Sequence, residues 1–209
     1  MAFTFFFRDQ PVLDSAIELF IQATMGRSRI RIWDAGCAMG PEPYTLLILL
    51  AERMGRFSFQ NLRLDATDID EGGDFGKTIA AGKYPYDQLS RIPADLFTKY
   101  FSSVPNEQNM FEISTELRSR ITFKKQNLLD LKAPGEGYAM IVCKNVLLHL
   151  SEEQRILVIK MFYASLAENG LLVMEHTQKL PAALNDHFKQ ATKEAQIYKK
   201  ITMQAALAA

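Results

Sequence analysis

The chain lacks an excess of charge of either sign, because its 24 lysine and arginine residues balance 24 acidic ones. This balance gives no support to nucleic-acid or membrane-surface binding, both of which favour a basic surplus. No apolar run reaches the about 18 residues that a membrane helix needs. The apolar start at Ala2–Phe7 is short and is followed by Arg8 and Asp9, which is not typical of a signal peptide.

Cysteine and histidine are also scarce, with 2 and 3 residues respectively. Cys37 and Cys143 lie at the ends of predicted strands without metal-ligand spacing, so we expect free buried thiols and a cytoplasmic protein. His176 and His187 have no partner at such spacing either. The sequence therefore predicts no metal site.

Hydrophobic residues make up 48% of the 209 residues, which is enough for one good core. We predict a single domain over residues 1–209. A small inserted subdomain is expected at about 84–122, where Met110–Ser114 and Arg120–Phe123 indicate strands of an antiparallel element.

The stretch from Arg29 to Tyr44 predicts a strand, a tight turn and a helix expected over Tyr44–Met54. Gly36 and Gly40 allow the backbone to turn sharply and a ligand to approach closely. The spacing is not that of a dinucleotide fingerprint, and Pro41 and Pro43 remove two of the N–H groups that a phosphate needs. The turn therefore favours a ligand without a pyrophosphate.

A second strand, Leu62–Thr67, is followed by Asp68, at the position where nucleotide-binding sheets hold a ribose. A ligand with a ribose but no pyrophosphate fits S-adenosylmethionine. A nicotinamide cofactor fits less well, because a glycine of its fingerprint is missing.

A later buried strand, Tyr138–Cys143, leads to Asn145 and His149. Parallel sheets bind ligands at this end of their strands, so both residues are candidates for the site. Ser151 and Gln154 predict a capping box for a helix that ends at Gly170, and Leu171–Met174 predicts the next strand. The tail predicts a helix and a last strand.

The N-terminal aromatic cluster consists of Phe3, Phe5, Phe6 and Phe7. Its rings are expected to fasten this segment to the domain. Arg8 beside them is suited to clamping a carboxylate through two parallel hydrogen bonds.

Six sequence blocks in order resemble the chemotaxis receptor glutamate methyltransferases of the CheR type, over roughly Phe3 to Tyr198. They are Phe6–Asp9, Asp34–Tyr44, Ala66–Asp70, Gly82–Tyr84, Asn127–Asp130 and Cys143–Val146. The resemblance does not include the N-terminal helical domain of those enzymes. It implies a Rossmann-like class I methyltransferase fold, a mostly parallel seven-stranded sheet with helices on both faces and a small antiparallel insertion. The implied activity is direct methyl transfer from S-adenosylmethionine to protein glutamate, with S-adenosylhomocysteine as the product.

The resemblance also implies residue roles. Glu42 accepts from the cofactor's amino group, Asp68 holds the ribose, Asn127 and Leu128 frame the adenine, and Asn145 and Val146 lie beneath the transferred methyl group. The expected cofactor-binding residues are Thr4, Arg8, Gly36, Cys37, Ala38, Glu42, Asp68, Ile69, Asn127, Leu128, Asn145 and Val146. The expected catalytic residues are Arg8, Asn145 and His149.

The chain departs from the family pattern at three positions. Pro41 replaces the first of two acids, Lys144 replaces an arginine, and His149 replaces a tyrosine. A glutamate acceptor is already ionised and needs no base, whereas an amine or hydroxyl acceptor must lose a proton, and histidine is suited to remove it. The departures leave three interpretations open. The acceptor is a protein carboxylate such as that of a chemoreceptor, or it is a small molecule or an amine or hydroxyl group with His149 as base. The third is a non-catalytic regulator that binds S-adenosylmethionine or S-adenosylhomocysteine.

Overall fold

A computed structural model describes residues 4–202 of the chain. Phe3 of the predicted aromatic cluster lies outside the described residues. None of the helices in the described range is both long and apolar enough to cross a membrane.

The helices and strands alternate along most of the chain. The helices are α1 Gln10–Thr24, α2 Pro41–Arg53, α3 Arg56–Gln60, α4 Phe75–Ala81, α5 Tyr86–Leu89, α6 Ala94–Tyr100, α7 Thr115–Arg118 and α8 Glu152–Ser165. The strands are β1 Ile30–Ala35, β2 Leu62–Asp68, β3 Lys83–Pro85, β4 Phe101–Ser103, β5 Met110–Ile113, β6 Ile121–Lys125, β7 Tyr138–Cys143, β8 Leu166–Met174, β9 Phe188–Gln190 and β10 Ile197–Lys200.

Seven strands form the main sheet in the order β6-β2-β1-β7-β8-β10-β9. The first five run parallel, and β10 is antiparallel to both of its neighbours, β8 and β9. The predicted mostly parallel, seven-stranded sheet is confirmed. The strand order reverses between β1 and β7, where an open α/β sheet forms a crevice at its carboxyl edge.

The residues of β1 alternate between two cores on opposite faces of the sheet. Ile30 and Ile32 pack in the core that includes α1 and α2. Trp33 and Ala35 pack in the core that includes α8. Helices on both faces are thus confirmed, and the carboxyl edge of the parallel strands stays open.

Two helix boundaries differ from those expected. α2 begins at Pro41 rather than at Tyr44, because proline at a first helical position has a suitable φ and lacks an N–H that would have no partner there. α8 has the predicted Ser151–Gln154 capping box but ends at Ser165 rather than at Gly170. Gly170 lies in β8 next to an irregularity in its pairing with β7.

The predicted antiparallel insertion is confirmed as a three-stranded sheet in the order β3-β5-β4. The assignment of Arg120–Phe123 to this insertion is wrong. β6 instead pairs in parallel with β2 at the edge of the main sheet, where Ile121 and Phe123 pack against the larger core. The insertion sheet therefore closes before β6 begins.

The tail after β8 contains no α-helix within residues 175–202, so the predicted tail helix is wrong. The segment has a single 3-10 turn at Ala182–Leu184, followed by the hairpin of β9 and β10. Phe188 and Tyr198 are buried in the core next to α8, which gives these strands an apolar side to pack.

Candidate active site

Two adjoining cavities open at the crevice between β1 and β7. The larger has a volume of about 480 Å³ and the smaller about 260 Å³. Gly36, Asp68, Val146 and His149 line both, so the two cavities form one continuous site.

The turn after β1 separates the cavities from the sheet. Gly36 has a φ of +105°, and a Cβ placed on it would overlap Cγ2 of Val146. The N–H groups of Gly36 and Cys37 donate to the carbonyl of Thr67 at 2.7 and 3.1 Å. The sharp turn and the close approach of Val146 both require glycine at this position.

Asp68, the last residue of β2, holds the same turn through hydrogen bonds to its carboxylate. Its Oδ2 accepts the N–H of Ala38 at 2.9 Å, and its Oδ1 accepts the N–H of Asp70 at 3.2 Å. The carboxylate therefore lies where the two cavities meet.

The smaller cavity is a largely apolar slot. Ile69, Leu128 and Leu129 line it together with Asn127. The Oδ1 atom of Asn127 accepts the N–H of Leu129 at 3.0 Å, so this amide shapes its own loop as well as lining the slot.

The N-terminal segment lies over the larger cavity, which Thr4 and Arg8 line. Phe6 is fully buried and packs edge-on against Tyr84, with ring centroids 5.1 Å apart. The N–H of Phe7 donates to Oγ1 of Thr45 at 3.0 Å. The expected fastening role is confirmed for Phe6 and Phe7.

Arg8 and Asn145 meet across the larger cavity. Nη2 of Arg8 donates to Oδ1 of Asn145 at 3.0 Å. Asn145 follows β7 and has a left-handed backbone with a φ of +59°, an uncommon conformation that often marks functional positions. The two residues are thus joined although they are distant in the sequence.

The buried Lys144 and its acidic partner Glu42 line the larger cavity. Nζ of Lys144 lies 2.9 Å from Oε2 of Glu42 and 3.2 Å from Oδ2 of Asp9. Burial opposes the charge on Lys144, but Glu42 and Asp9 outweigh it and raise the pKa of its ammonium. Lys144 is therefore a cation held between two carboxylates.

Asp34 lies behind this cluster and is fully buried. Burial, followed by repulsion from Glu42, raises the pKa of the Asp34 carboxyl well above its usual range. In its ionised form neither oxygen has a hydrogen-bond partner among the described residues, whereas a proton on Asp34 can be donated to Glu42. The geometry favours a neutral Asp34.

Both cysteines are free and buried, as expected. Burial raises the pKa of the Cys37 and Cys143 thiols, which keeps them protonated and unreactive. Within residues 4–202 there is no group of three or more His, Cys, Asp or Glu side chains that could hold a metal ion.

Nearly all the site residues expected from sequence come together here. Of these, only Cys37 lines neither cavity; it is buried beneath the turn. Sequence reasoning noted Lys144 only as a departure and assigned no role to Asp34. The one available signal was an acid between Trp33 and Ala35, close to the end of the strand.

Comparison with known proteins places the chain next to bacterial methyltransferases. The family model described as the SAM-binding domain of CheR methyltransferase matches residues 2–197. A chemotaxis protein methyltransferase of Borreliella burgdorferi is 32% identical over 73% of this chain and 53% of that protein. Chemotaxis protein methyltransferase 2 of Vibrio cholerae is 27% identical over 94% of this chain and 69% of that protein. This chain therefore spans between about half and two thirds of the length of these two relatives.

A solved structure of an O-methyltransferase family protein from Burkholderia thailandensis aligns over 95% of this chain and 48% of that chain. The identity is 14% and the TM-score is 0.47, a similarity too low to bear on function.

Proposed function

Since the chain belongs to the CheR methyltransferase family, we propose that it transfers a methyl group from S-adenosylmethionine to a glutamate side chain of a protein. The observation that most supports this is the pair of adjoining cavities that meet at Asp68 beneath the glycine turn. They provide an apolar slot and a charged chamber on either side of one carboxylate.

The residues fit S-adenosylmethionine as cofactor. Asp68 lies at the tip of β2, where its carboxylate can accept from ribose hydroxyls. The apolar slot beside Ile69 and Leu128 suits an adenine ring. Glu42 stands in the first turn of α2, lines the larger cavity and can accept from the cofactor's ammonium group. The slot and the chamber thus match the two ends of the cofactor.

Bound S-adenosylmethionine supplies an electrophilic methyl group on a sulfonium. The contribution of the chain is to align an acceptor with it. A glutamate carboxylate, whose pKa in an unfolded peptide is about 4.3, is already ionised near neutral pH and needs no base. In this proposal Arg8 clamps the acceptor carboxylate while Asn145 and Val146 form the floor of the chamber. Orientation of this kind can supply several kcal/mol of rate acceleration, roughly 7 or more in the best cases.

We propose a protein acceptor such as a chemoreceptor or another signalling protein. The relatives of the chain are named chemotaxis protein methyltransferases, which supports this class of partner. The two free buried thiols are compatible with a reducing compartment, and we propose that the chain acts in the cytoplasm. Neither the neutral net charge nor the site favours a nucleic acid.

A second candidate is transfer to an amine or hydroxyl, with His149 as general base. The observation in its favour is that His149 is exposed and lines both cavities. A histidine there can accept the proton that such acceptors must lose.

Calorimetry with S-adenosylmethionine, S-adenosylhomocysteine and NAD tests the cofactor. We expect the first two to bind and NAD not to bind; absence of binding by both sulfur nucleotides contradicts the proposal. Transfer of radiolabelled methyl to chemoreceptor cytoplasmic segments then tests the acceptor. A glutamate methyl ester releases methanol in mild base, whereas methylated amines and ethers do not. Cofactor binding without transfer to any acceptor favours a non-catalytic regulator.

A further inference from the structure

The parallel ladder between β7 and β8 ends with the pairing of Cys143 and Met174. Beyond this pair, the next hydrogen bond between the two chain segments is accepted by a side chain instead of a backbone carbonyl. The N–H of Asn145 donates to Oε2 of Glu175, the first residue after β8, at 3.2 Å. The carboxylate thus extends the link between the two strands past the end of their ladder.

This hydrogen bond acts on a strained residue. The left-handed φ of +59° at Asn145 costs about 1 to 2 kcal/mol for most residues, although asparagine tolerates it better than most. Surrounding contacts must hold the turn. Glu175 holds the backbone of Asn145 from one side, and Arg8 holds its side chain from the other.

The same turn determines where Val146 lies. Cγ2 of Val146 occupies the space that a Cβ on Gly36 would need, and Val146 lines both cavities. A rotation of the Asn145 peptide would therefore move the Asn145 amide and Val146 together. The floor of the site depends on the conformation of one peptide group.

An acid is an unusual choice at this position, because Glu175 is only 5% exposed. Burial raises the pKa of its carboxyl, although Arg155 and Lys144 favour the ionised form. Oε1 is buried without a hydrogen-bond partner in the described part of the chain. An apolar side chain would fill this space without burying an unpaired oxygen. The hydrogen bond to the N–H of Asn145 is therefore the contact that explains an acid at this position.

We propose that Glu175 is a positioning residue: its carboxylate fixes the Asn145 peptide, and thereby holds the Asn145 amide and Val146 in place for methyl transfer. This inference rests on the function proposed above, since it assigns Glu175 a role at the same site. Glu175 acts through Asn145 and does not itself line either cavity.

The test compares Glu175→Ala and Glu175→Gln with Glu168→Ala, which removes an exposed acid from the same strand. Amide hydrogen exchange of Asn145 by NMR reports the hydrogen bond, and calorimetry with S-adenosylhomocysteine reports the site. Glu175→Ala should speed exchange at Asn145 and weaken binding, each by about tenfold. Glu175→Gln keeps an acceptor oxygen and should restore both to within about twofold. Glu168→Ala should change neither.

Unchanged exchange at Asn145 in Glu175→Ala, with wild-type affinity, would overturn the inference. If that variant does not fold, Glu175→Asp withdraws the carboxylate by one methylene and should show the same faster exchange. Failure of the wild-type chain to bind S-adenosylhomocysteine would count against the proposed function instead. The exchange rate of Asn145 would still decide whether Glu175 fixes that peptide.

Discussion

Nζ of Lys144 lies 2.9 Å from Oε2 of Glu42, in the wall of the larger cavity. Asp9 bonds to the same ammonium from the N-terminal segment at 3.2 Å. One lysine thus joins the segment over the cavity, the start of α2 and the end of β7. With Pro41 in place of an acid, Glu42 remains as the partner that α2 offers, and its contact with Lys144 keeps it beside the site.

Replacing Lys144 by methionine should lower the free energy of unfolding by about 3 kcal/mol or more, because it leaves the largely buried carboxylate of Glu42 without its cation. The lysine side chain is 1% exposed, so water cannot easily take its place. Urea denaturation followed by circular dichroism measures the change.

Two variants serve as controls for Lys144. Lys144→Arg keeps the charge and should lose much less stability. Lys77→Met breaks an ion pair with Asp74 whose lysine side chain is 79% exposed, and should cost less than about 1 kcal/mol. Equal stability of Lys144→Met and wild type would show that the cluster is not held by this cation.

Gly36→Ala should abolish detectable cofactor binding, because the added Cβ overlaps Val146 in addition to straining the backbone. Gly137→Ala is the matched control: Gly137 also has a positive φ, of +72°, but a Cβ there meets nothing within 4 Å. It should lose only about 1 to 2 kcal/mol of stability from strain and bind S-adenosylhomocysteine normally. Normal binding by Gly36→Ala would mean that the turn can move away from Val146.

Asp68→Ala should weaken S-adenosylhomocysteine binding by about 1 to 3 kcal/mol through lost hydrogen bonds to the ribose. It also removes the acceptor for the Ala38 N–H, so the turn loses support. Asp68→Asn keeps one acceptor oxygen and should lose less. Asp74→Ala, which removes a carboxylate that is 74% exposed, is the control in the calorimetry. Wild-type affinity in Asp68→Ala would exclude the ribose role.

The elements that could be predicted from sequence are those in which local signals and burial agree. The run Tyr138–Cys143 is buried at every residue and forms the strand that it predicts. The proximity of the Gly36 turn and Asp68 could also be predicted, because each lies at the end of a strand and the carboxyl ends of neighbouring parallel strands meet at one edge of the sheet.

The errors arise where tertiary contacts override the local pattern. Gly170 indicates a helix end, yet it lies in a strand in which a Cβ would be 2.9 Å from the carbonyl oxygens of Ala167 and Tyr138. Arg120–Phe123 has no local feature that distinguishes an edge strand of the main sheet from one of the insertion; only its pairing with β2 decides. Glu175 contacts Asn145 across 30 positions of sequence, and no spacing signal marks such a pair.

Asp34 predicts a specific pH dependence of stability. Its pKa is raised in the folded state, so the folded chain holds this proton more tightly than the unfolded chain. The resulting contribution is fully present below the ordinary pKa of aspartate and is lost as pH rises through the raised value. Asp34→Asn, which mimics the neutral acid, should therefore be more stable than wild type at neutral pH, and the difference should shrink in acid.

Urea unfolding of wild type and Asp34→Asn across a pH series measures this difference. Asp14→Asn is the control, since Asp14 forms a partly exposed pair with Arg53 and should not produce the same trend. A difference between Asp34→Asn and wild type that stays constant with pH would show that folding does not raise the pKa of Asp34.

The role of His149 can be decided by the pH dependence of methyl transfer. If the acceptor is a carboxylate, His149→Phe should retain turnover and leave the pH–rate profile unaltered, because no proton has to be removed. If His149 is a base, the same variant should lose about 10²-fold or more in kcat and lose the limb of the pH–rate profile that reports a general base. His176→Phe, at an exposed histidine that lines neither cavity, should behave as wild type in both cases. His149→Tyr, which restores the residue of the family pattern, should support carboxylate transfer but not transfer to an amine, because a phenol with an ordinary pKa of about 10 is a poor base at neutral pH. The chemistry of the acceptor can thus be read from this one side chain once any turnover is detected.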